Sequence, residues 1–491
     1  MLNLDHLRFL PDNYRSMLPN YGTYVDSVYL TISIPLSAFL FAYGVRSLIF
    51  VLLSKDGLGR IIQAHRECEI PIPRRYDQFI SILVATYNEH KVIERLLESC
   101  VALTYNAKRF EIIVIDDSSD GTFAILSSWK KRIPNLKVIH RSTRNGWKGG
   151  ALNAGLNNIN QKSQYVLVID ADNILVPNAL ESIIAYFREL HSKGQHVDAI
   201  QGYLLPLVDK VSERKSYSEP AHRTYPESWV SKAIDFRRAQ RNMVEFVAKN
   251  DLGLPVEITG SLFLIRTEVI KEIGFSEDLT EDWDLTIDLH LLERSPGKPH
   301  SGRGIEKSNI ASRHSIKCIG KKKAIAYNPM LVSYCETPNR LQSYLKQRIR
   351  ISEGHARGFK RRIWDIPKSN IDNVTKIELF FTGLQYAKFI PILALIISDS
   401  IMILGNGIDF ARYNHFIKFS FWFQISLLGL SFSTNIIALN TCRQVRDYNI
   451  RDVLYLFILN LCALPGYAIG TVRGFLINKG TFYRTERNNS Q

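Results

Sequence analysis

Two acidic clusters, far apart in the sequence, have the residue types and spacing for chemistry on a phosphorylated compound. In the first, Asp170 and Asp172 follow the apolar run YVLVI with one residue between them. Acids spaced by two on an extended segment project to the same side, so they could hold one divalent cation, Mg²⁺ or Mn²⁺, and through it a diphosphate. Two carboxylates at the end of a strand that is buried on both faces need such compensation.

The second acidic cluster is TEDWD, residues 280–284, which precedes a stretch with the apolar spacing of one helix face. Acids in the first turn of a helix are stabilised by the helix dipole and need no function, which is one interpretation of this cluster. The other interpretation is catalytic, because an inverting transfer needs a carboxylate that takes the proton from the attacking hydroxyl. Asp282 is our candidate for this base, with Glu281 beside it.

Three further polar clusters could contact the rest of such a substrate. TYNE, at 86–89, offers Thr86, Tyr87 and Glu89 for a base and ribose, although a turn and a helix start are the commoner explanation of any one of these residues. DDSSDGT, at 116–122, offers Asp117 for the nucleotide, with an Asp/Ser-rich turn as the alternative. GWKGGALN, at 146–153, would let the backbone approach a phosphate and adds the charge of Lys148, but it lacks the P-loop spacing.

The elements that must position these clusters are short strands rich in isoleucine and valine. The runs are FISILV, EIIVID, KVIH, YVLVID, AIQGY and FLIR. Such runs are typical of strands buried on both faces of a mostly parallel sheet. Between the first two runs, Val92, Leu96 and Cys100 lie on one apolar stripe of a helix. The order predicts a doubly wound α/β domain, whose ligands bind beyond the carboxyl ends of the strands, where the clusters fall.

Apolar runs at both ends of the chain predict membrane-spanning helices. Residues 28–53 carry only Arg46 as a charge and are long enough to cross the ~30 Å hydrocarbon layer, as are the runs 377–404, 416–439 and 453–477. A buried core helix remains the alternative for any one of them. The predicted organisation is an N-terminal arm (1–27), a transmembrane helix (28–54), a catalytic domain (75–358), an interfacial linker (359–376), C-terminal transmembrane helices (377–478) and a tail (479–491).

The formal net charge of +15 alone does not identify a partner, because basic surface attracts nucleic acid, anionic lipid and phosphorylated substrates alike. Basic residues crowd next to the apolar runs, as at 357–362, which favours a membrane surface, and we expect no nucleic-acid partner. The excess of Lys and Arg after residue 53 predicts a multi-pass membrane protein with a cytoplasmic catalytic domain. Three C-terminal spans would leave the basic tail outside, so we expect that one run is not a true span.

The order of the motifs TYNE, DDSSDGT, KGGALN, DAD, TGS (259–261), TED and QRIR (347–350) resembles the family 2 glycosyltransferases, which have a GT-A fold. The likeness is closest to the membrane-bound branch that contains cellulose, chitin and hyaluronan synthases and ceramide glucosyltransferase. It covers about residues 79–358. The resemblance implies an inverting, metal-dependent transfer of a sugar from a nucleotide sugar, with UDP as the nucleotide.

The resemblance also implies a role for each matching residue. Asp172 would hold the metal, Asp282 with Glu281 would act on the acceptor hydroxyl, and Arg350 would contact the pyrophosphate from the helix face that it shares with Gln347. The predicted donor-binding residues are Thr86, Tyr87, Glu89, Asp117, Lys148, Asp170, Gln347 and Arg350. The predicted acceptor region is Gly260, Trp283 and Ile351.

One departure from the family pattern bears on the acceptor. The family's QxxRW motif has a tryptophan that stacks on the acceptor sugar, where this chain has Ile351. Its absence favours a single transfer to a lipid or lipid-linked acceptor over polymer extension, and a processive polysaccharide synthase is the alternative. The hypothesis from another class is a non-catalytic membrane scaffold or sensor, against which stand the four acids at 117, 170, 172 and 282.

Overall fold

The computed structural model describes residues 19–67, 76–207, 228–292, 322–406, 415–444 and 446–477 of the 491-residue chain. Residues 1–18 of the predicted arm and the tail at 479–491 lie outside these ranges. The stretch 295–323, whose Gly, Ser and Lys content predicts a long surface loop, also lies outside them up to residue 321. The strands are β1 (Phe79–Thr86), β2 (Phe110–Asp116), β3 (Leu136–His140), β4 (Ser163–Asp170), β5 (Ile174–Leu175), β6 (His196–Pro206), β7 (Phe263–Arg266) and β8 (Lys322–Cys335).

Helices alternate with these strands and then follow them. They are α1 (Pro19–Glu67), α2 (Ile93–Val101), α3 (Thr122–Lys130), α4 (Trp147–Leu156), α5 (Ala179–Ser192), α6 (Trp229–Ala239), α7 (Phe246–Leu252), α8 (Thr267–Ile273), α9 (Glu281–Leu292), α10 (Leu341–Arg362), α11 (Asp365–Lys368), α12 (Asn373–Gly383), α13 (Phe389–Asn406), α14 (His415–Cys442) and α15 (Ile450–Leu476). A π-helical turn, Gln240–Glu245, joins α6 to α7.

The sheet has the order β3-β2-β1-β4-β7-β6-β8-β5. The neighbours β3, β2, β1 and β4 are parallel, and β6 is parallel to β8. β7 runs antiparallel between β4 and β6, and β5 is antiparallel to β8. All six predicted runs are strands and the predicted α/β class is confirmed, in a sheet that is mixed. β8 was not anticipated, because Asn328 and Pro329 interrupt its apolar pattern.

The apolar strands are buried on both faces of the sheet, as their composition predicts. On β1, Ile82 and Val84 pack into the core on one side, while Leu83 packs into the core on the other side. The stripe on α2 points into the first of these cores through Leu96 and Cys100. Covering both faces with helices leaves the carboxyl ends of the strands as the edge at which polar side chains can meet.

Among the described residues, three helices are long and apolar enough to cross a membrane: Tyr29–Ser54 within α1, α14 and α15. The run 377–404 is not one span, and here the sequence reading was wrong. α12 ends at Gly383, α13 begins at Phe389, and the apolar part of α13, Phe389–Ile403, is short. Polar Gln385 and Lys388 separate the two helices, which agrees with the expectation that one C-terminal run is not a true span.

The chain forms two compact units. One comprises Met1–Ile49 with Ala387–Thr434, and within it the Ser420 hydroxyl donates to Ser33 Oγ at 3.0 Å. The other comprises Phe50–Tyr386 with Asn435–Gln491 and contains the whole sheet. Within the second unit, α15 packs closely on α10, because Gly470 leaves room for the Ile349 carbonyl, to which a Cβ would stand at 2.5 Å.

Candidate active site

All fourteen residues that the sequence singled out line one cavity of about 450 Å³ in the unit that contains the sheet. They come from strand ends, helix starts and one helix face that are far apart in the chain. The residues are Thr86, Tyr87, Glu89, Asp117, Lys148, Asp170, Asp172, Gly260, Glu281, Asp282, Trp283, Gln347, Arg350 and Ile351. Their meeting is a geometric fact, and their individual roles remain predictions.

The parallel register explains why the first clusters meet. Thr86 at the end of β1 is paired with Asp116 on β2, and Ala85 is paired with Asp170 on β4. The carboxyl ends of these three strands therefore lie side by side. The Asp117 amide donates to the Thr86 carbonyl at 3.0 Å and holds the two loops together.

Asp117 is already engaged by an arginine that the sequence analysis did not single out. Arg141 donates from Nε to Oδ1 at 2.6 Å and from Nη2 to Oδ2 at 2.5 Å, and the Asp117 side chain is 4% exposed. A nucleotide contact by Asp117 would therefore be made as part of this bidentate pair. Close by, the Arg144 guanidinium lies 3.6 Å from the centre of the Tyr87 ring. No motif marked either arginine.

Lys148 joins the two acidic clusters. Its Nζ lies 2.7 Å from Asp170 Oδ1 and 2.9 Å from Glu281 Oε1, and it donates to the Gly260 carbonyl at 2.7 Å. Burial lowers the pKa of Lys148, but the charges of Asp170 and Glu281 outweigh burial and raise this pKa overall. Lys148 therefore stays a cation, and it fixes the start of α9 against the end of β4.

The TGS loop shapes the cavity beside Lys148. Gly260 has φ +82°, which favours glycine, and a Cβ there would stand 3.2 Å from Asp282 Oδ2. Ser261 is buried, and its hydroxyl oxygen accepts the Asp170 amide proton at 2.8 Å. The loop thus ties the end of β4 to the acidic start of α9.

Asp282 has the electrostatic setting of a base. Its Oδ1 accepts the Trp283 amide proton at 2.9 Å, while Oδ2 faces Gly260. Burial, followed by the neighbouring charge of Glu281, raises the pKa of Asp282 to about 7, against the lowering effect of Lys148. A carboxyl with a pKa near neutrality can accept a proton from a hydroxyl and is a stronger base than an ordinary aspartate.

Helix α10 sets the distance between the acidic clusters and the QRIR residues. Gly354 lets α10 approach Thr280, whose Cγ2 would lie 2.7 Å from an added Cβ. Arg361 and Arg357 reinforce this contact, with Arg361 Nη2 donating to Asp284 at 2.5 Å and Arg357 Nη1 to Asp278 at 2.9 Å. Gln347, Arg350 and Ile351 consequently face the same cavity as Asp282.

Trp283 forms part of the wall in the predicted acceptor region. It is 3% exposed and stacks on His355, with ring centres 4.3 Å apart and planes 18° apart. Burial lowers the pKa of His355 to about 4, so this histidine is neutral at neutral pH and its Nε2 can donate to the Thr382 carbonyl at 2.9 Å. The sequence analysis missed His355, which carries no motif beyond its place on the QRIR helix.

A buried charge network behind this wall was also missed. Arg241 in the π-helical turn donates to Glu257 at 2.6 Å, and fully buried Lys249 lies 3.0 Å from Glu378 on α12 and 3.5 Å from Glu257. The arginine and lysine charges overcome the effect of burial and lower the pKa of Glu257. The network connects α12 to the cavity through residues separated by more than a hundred positions, which no local pattern reveals.

Comparison with known proteins finds a family match for the N-terminal part of the region that lines this cavity. The family model described as "Glycosyl transferase family 2" matches residues 81–231. A β-monoglucosyldiacylglycerol synthase from Synechocystis sp. is 27% identical over 233 residues, 46% of this chain and 42% of that enzyme. This chain spans less than half the length of the three such synthases that it matches.

Two further relatives are matched over more of the chain. A poly-β-1,6-N-acetyl-D-glucosamine synthase from Staphylococcus epidermidis is 22% identical over 382 residues, 77% of this chain and 78% of that enzyme. Among solved structures, the mannosyltransferase PcManGT from Pyrobaculum calidifontis, in complex with GDP-Man and Mn²⁺, is 18% identical. The superposition covers 84% of this chain and 97% of that one, with a TM-score of 0.49.

Proposed function

We propose, from the glycosyl transferase family 2 domain that this chain contains, that the protein transfers a sugar from a nucleotide sugar to a lipid or lipid-linked hydroxyl at a membrane, with inversion at the anomeric carbon. The observation that carries the proposal is the meeting of Asp170, Asp172, Glu281 and Asp282 in one cavity with Lys148 and Arg350. These groups supply a base, a cation site and positive charge for a diphosphate, which are the needs of this reaction.

The donor would bind at the parallel strand ends. Thr86, Tyr87, Glu89 and Asp117 line the part of the cavity where β1 and β2 end, which is where nucleotides bind in open α/β sheets. UDP is the proposed nucleotide. Arg350, with Gln347 on the same face of α10, would contact the diphosphate, because a guanidinium matches the geometry of phosphate oxygens.

A divalent cation, Mg²⁺ or Mn²⁺, fits the donor groups at the end of β4. Asp172 is 8% exposed, lines the cavity and lies near Asp170, whose pKa is raised by burial and by the charge of Asp172 despite the opposing effect of Lys148. Within the described part of the chain, no group of three ligating side chains could hold an ion alone. This suits a cation that takes its other ligands from the diphosphate, whose departure it would ease by neutralising charge.

The proposed chemical step uses Asp282 as the base. The acceptor oxygen forms a bond to the anomeric carbon while its proton moves to the Asp282 carboxylate. The bond between that carbon and the diphosphate oxygen breaks, and the electron pair leaves with the nucleoside diphosphate. Glu281 is bound to Lys148 at 2.9 Å, so in this proposal it positions the Lys148 ammonium group and raises the pKa of Asp282, and it does not take the proton itself.

The membrane helices and the relatives support a lipid-linked acceptor. Three helices of the described chain have the length and composition to cross a bilayer, and one relative is named a β-monoglucosyldiacylglycerol synthase. Another relative is named a poly-β-1,6-N-acetyl-D-glucosamine synthase, so polymer extension is the second candidate function. Ile351 at the cavity favours single transfer, since it offers no aromatic face for a polymer's terminal sugar. The catalytic unit would face the cytoplasm.

The test is a donor screen with radiolabelled sugar nucleotides on the detergent-solubilised full chain, with Mn²⁺ and a membrane lipid extract. We expect one sugar nucleotide to label a lipid product, and Asp282→Asn to lower the rate by roughly 10²–10⁴-fold. The matched control is Glu268→Gln, which neutralises an exposed acid on α8. Transfer by Asp282→Asn at the rate of the unmodified chain contradicts the assigned base, and products with several sugars contradict single transfer.

A further inference from the structure

The acids Asp170, Asp172, Glu281 and Asp282 form an acidic wall of the cavity. A second group of charged side chains beside it is positive and forms what we call the positive wall. Arg238 on α6 and Arg348 on α10 line the cavity together with Tyr386. In the family resemblance neither arginine has a role, and the proposed diphosphate contact uses Arg350 instead. Because a buried cation is unfavourable without a counter-charge, the contacts of each arginine indicate whether it still lacks an anionic partner.

Arg348 contacts only uncharged groups within the described residues. Its Nη2 donates to the Gln347 side-chain oxygen at 2.9 Å, and its guanidinium lies 4.9 Å from the centre of the Tyr344 ring. Its Nε is buried without any acceptor. Arg348 therefore keeps an unused donor and an uncompensated charge at the cavity wall.

Arg238 also has neutral hydrogen-bond partners. Its Nη1 lies 3.1 Å from Cys335 Sγ and 3.1 Å from Thr337 Oγ1. The charges of Asp235 and Asp172 both act on Arg238 from a distance, and the Asp235 carboxylate is itself bound to Arg446 at 2.6 Å. If Asp172 binds a cation, Arg238 loses that attraction as well.

Arg348 and Arg350 serve different parts of the cavity. They are two positions apart on α10, so about 200° of helix turn separates them. Arg348 shares its side of α10 with Tyr344, whose hydroxyl lies 3.0 Å from that of Tyr467 on the apolar helix α15. The positive wall is therefore the part of the cavity next to a helix that suits a bilayer.

A count of the charges in the cavity indicates that Arg238 and Arg348 are not needed to bind the donor diphosphate. Lys148 is already paired with Asp170 and Glu281, so its charge is not available to the donor. A divalent cation held by Asp172, together with Arg350, would match the two negative charges on the diphosphate of a sugar nucleotide. Arg348 then has no anionic partner within the described residues, and Arg238 has only the distant charges of Asp235 and Asp172. Each guanidinium could form charge-assisted bonds with phosphate oxygens. A second anion, carried by the other substrate, would satisfy both arginines.

We propose that Arg348 and Arg238 bind a phosphate group carried by the acceptor, so that the acceptor is a phosphorylated lipid rather than a neutral one. This inference rests on the proposed sugar transfer and names the substrate class of that same site. The phosphate could also belong to a water-soluble phosphate ester, and the experiment includes an arm for each source.

The experiment measures ligand binding to the full chain in detergent micelles by calorimetry. The probes are a lysophosphatidate, the monoacylglycerol with the same acyl chain, glycerol 3-phosphate in water, and UDP with Mn²⁺. We expect the lysophosphatidate to bind more tightly than the monoacylglycerol, and Arg348→Gln to weaken its binding roughly 10- to 100-fold. Arg348→Lys should restore part of the affinity, because it keeps the charge without the planar fork.

The control variant is Arg188→Gln, which removes a surface arginine that bonds Gln78 and lies outside the cavity lining. It should leave all four affinities unchanged. Tight binding of glycerol 3-phosphate with the same dependence on Arg348 supports the phosphate site and assigns it to a soluble acceptor. Equal binding of the phosphorylated and neutral lipids overturns the proposal.

The nucleotide arm separates this proposal from the proposed function. Arg350→Gln should weaken UDP binding, whereas Arg348→Gln should not. If both variants weaken UDP binding equally, Arg348 belongs to the donor site and the acceptor phosphate is wrong. If no nucleoside diphosphate binds the unmodified chain while the lipid phosphate still binds through Arg348, the sugar transfer is wrong and the phosphate site stands.

Discussion

The two charged walls of the cavity differ in how the chain builds them. The acidic wall comes from the end of β4 and the start of α9, where Asp170, Asp172 and Asp282 sit in short motifs that follow regular elements. The positive wall comes from side chains along α6 and α10, where Arg238 and Arg348 are separated by more than a hundred residues. Motifs at the ends of elements can be read from a sequence, whereas a wall made by two helix faces requires knowledge of how the helices pack.

The difference also concerns how the charges are balanced. On the acidic wall Lys148 is shared by Asp170 and Glu281, so the carboxylates are held in place before any substrate arrives. On the positive wall Arg348 has an unused buried Nε. This balance agrees with the two proposals, a preorganised acidic wall for sugar transfer and a positive wall that binds an anion of the acceptor.

The largest effect should follow loss of the predicted metal ligand. Asp172→Asn should lower kcat/KM about 100-fold or more, since the cation contributes several kcal/mol to the transition state. It should also abolish the dependence of UDP affinity on Mn²⁺, which titration calorimetry measures. Asp77→Asn, at an exposed position, is the control. If the UDP affinity of Asp172→Asn still depends on Mn²⁺, the cation binds elsewhere in the cavity and the assignment of Asp172 is wrong.

Removing the shared cation of the acidic wall should destabilise the fold. Lys148→Met leaves Asp170 and Glu281 facing each other, and because this pair is partly exposed the free energy of unfolding should fall by about 1–3 kcal/mol. The control is Lys193→Met, which breaks an exposed pair with Glu189 and should cost under about 1 kcal/mol. Thermal unfolding in detergent compares the two variants. Equal stability would mean that the acidic wall is not held by Lys148.

The positive wall depends on the packing of α10 against α15, and a smaller effect should follow its disturbance. Gly470→Ala places a methyl group on the Ile349 carbonyl at 2.5 Å, so stability should fall by about 1–3 kcal/mol. The control is Gly429→Ala on α14, where nothing lies within 4 Å of the added carbon. Melting curves that are the same for both variants would mean that α15 does not pack on α10 as described.

Much of the fold followed from local patterns. The runs from FISILV to FLIR are strands because their apolar residues pack on both faces, as Ile82 and Leu83 do on opposite sides of β1. The missed strand β8 contains Asn328 and Pro329, so its pattern is broken, and it is held by pairing with β6 over positions far away in the sequence. The run 377–404 was misjudged because hydropathy averaged over a break at Gln385 and Lys388.

The candidate site was predictable to the same extent. Residues in motifs, such as Asp117 and Arg350, line the cavity as expected. Arg141, Glu257 and His355 were missed because each acquires its place through a long-range contact: a bidentate pair with Asp117, a buried network with Lys249, and a stack on Trp283. None of these contacts can be recognised from residue spacing or composition.

The pH dependence of kcat/KM tests most directly whether Asp282 takes the proton of the acceptor hydroxyl. A base must be ionised, and burial raises the pKa of Asp282 to about 7, so activity should rise with pH and level off above about 7. Below that pH the rate should fall about tenfold per unit, and the residual rate of Asp282→Asn should lack this limb. The same acid limb in Asp282→Asn, or its absence from the unmodified chain, would contradict the account.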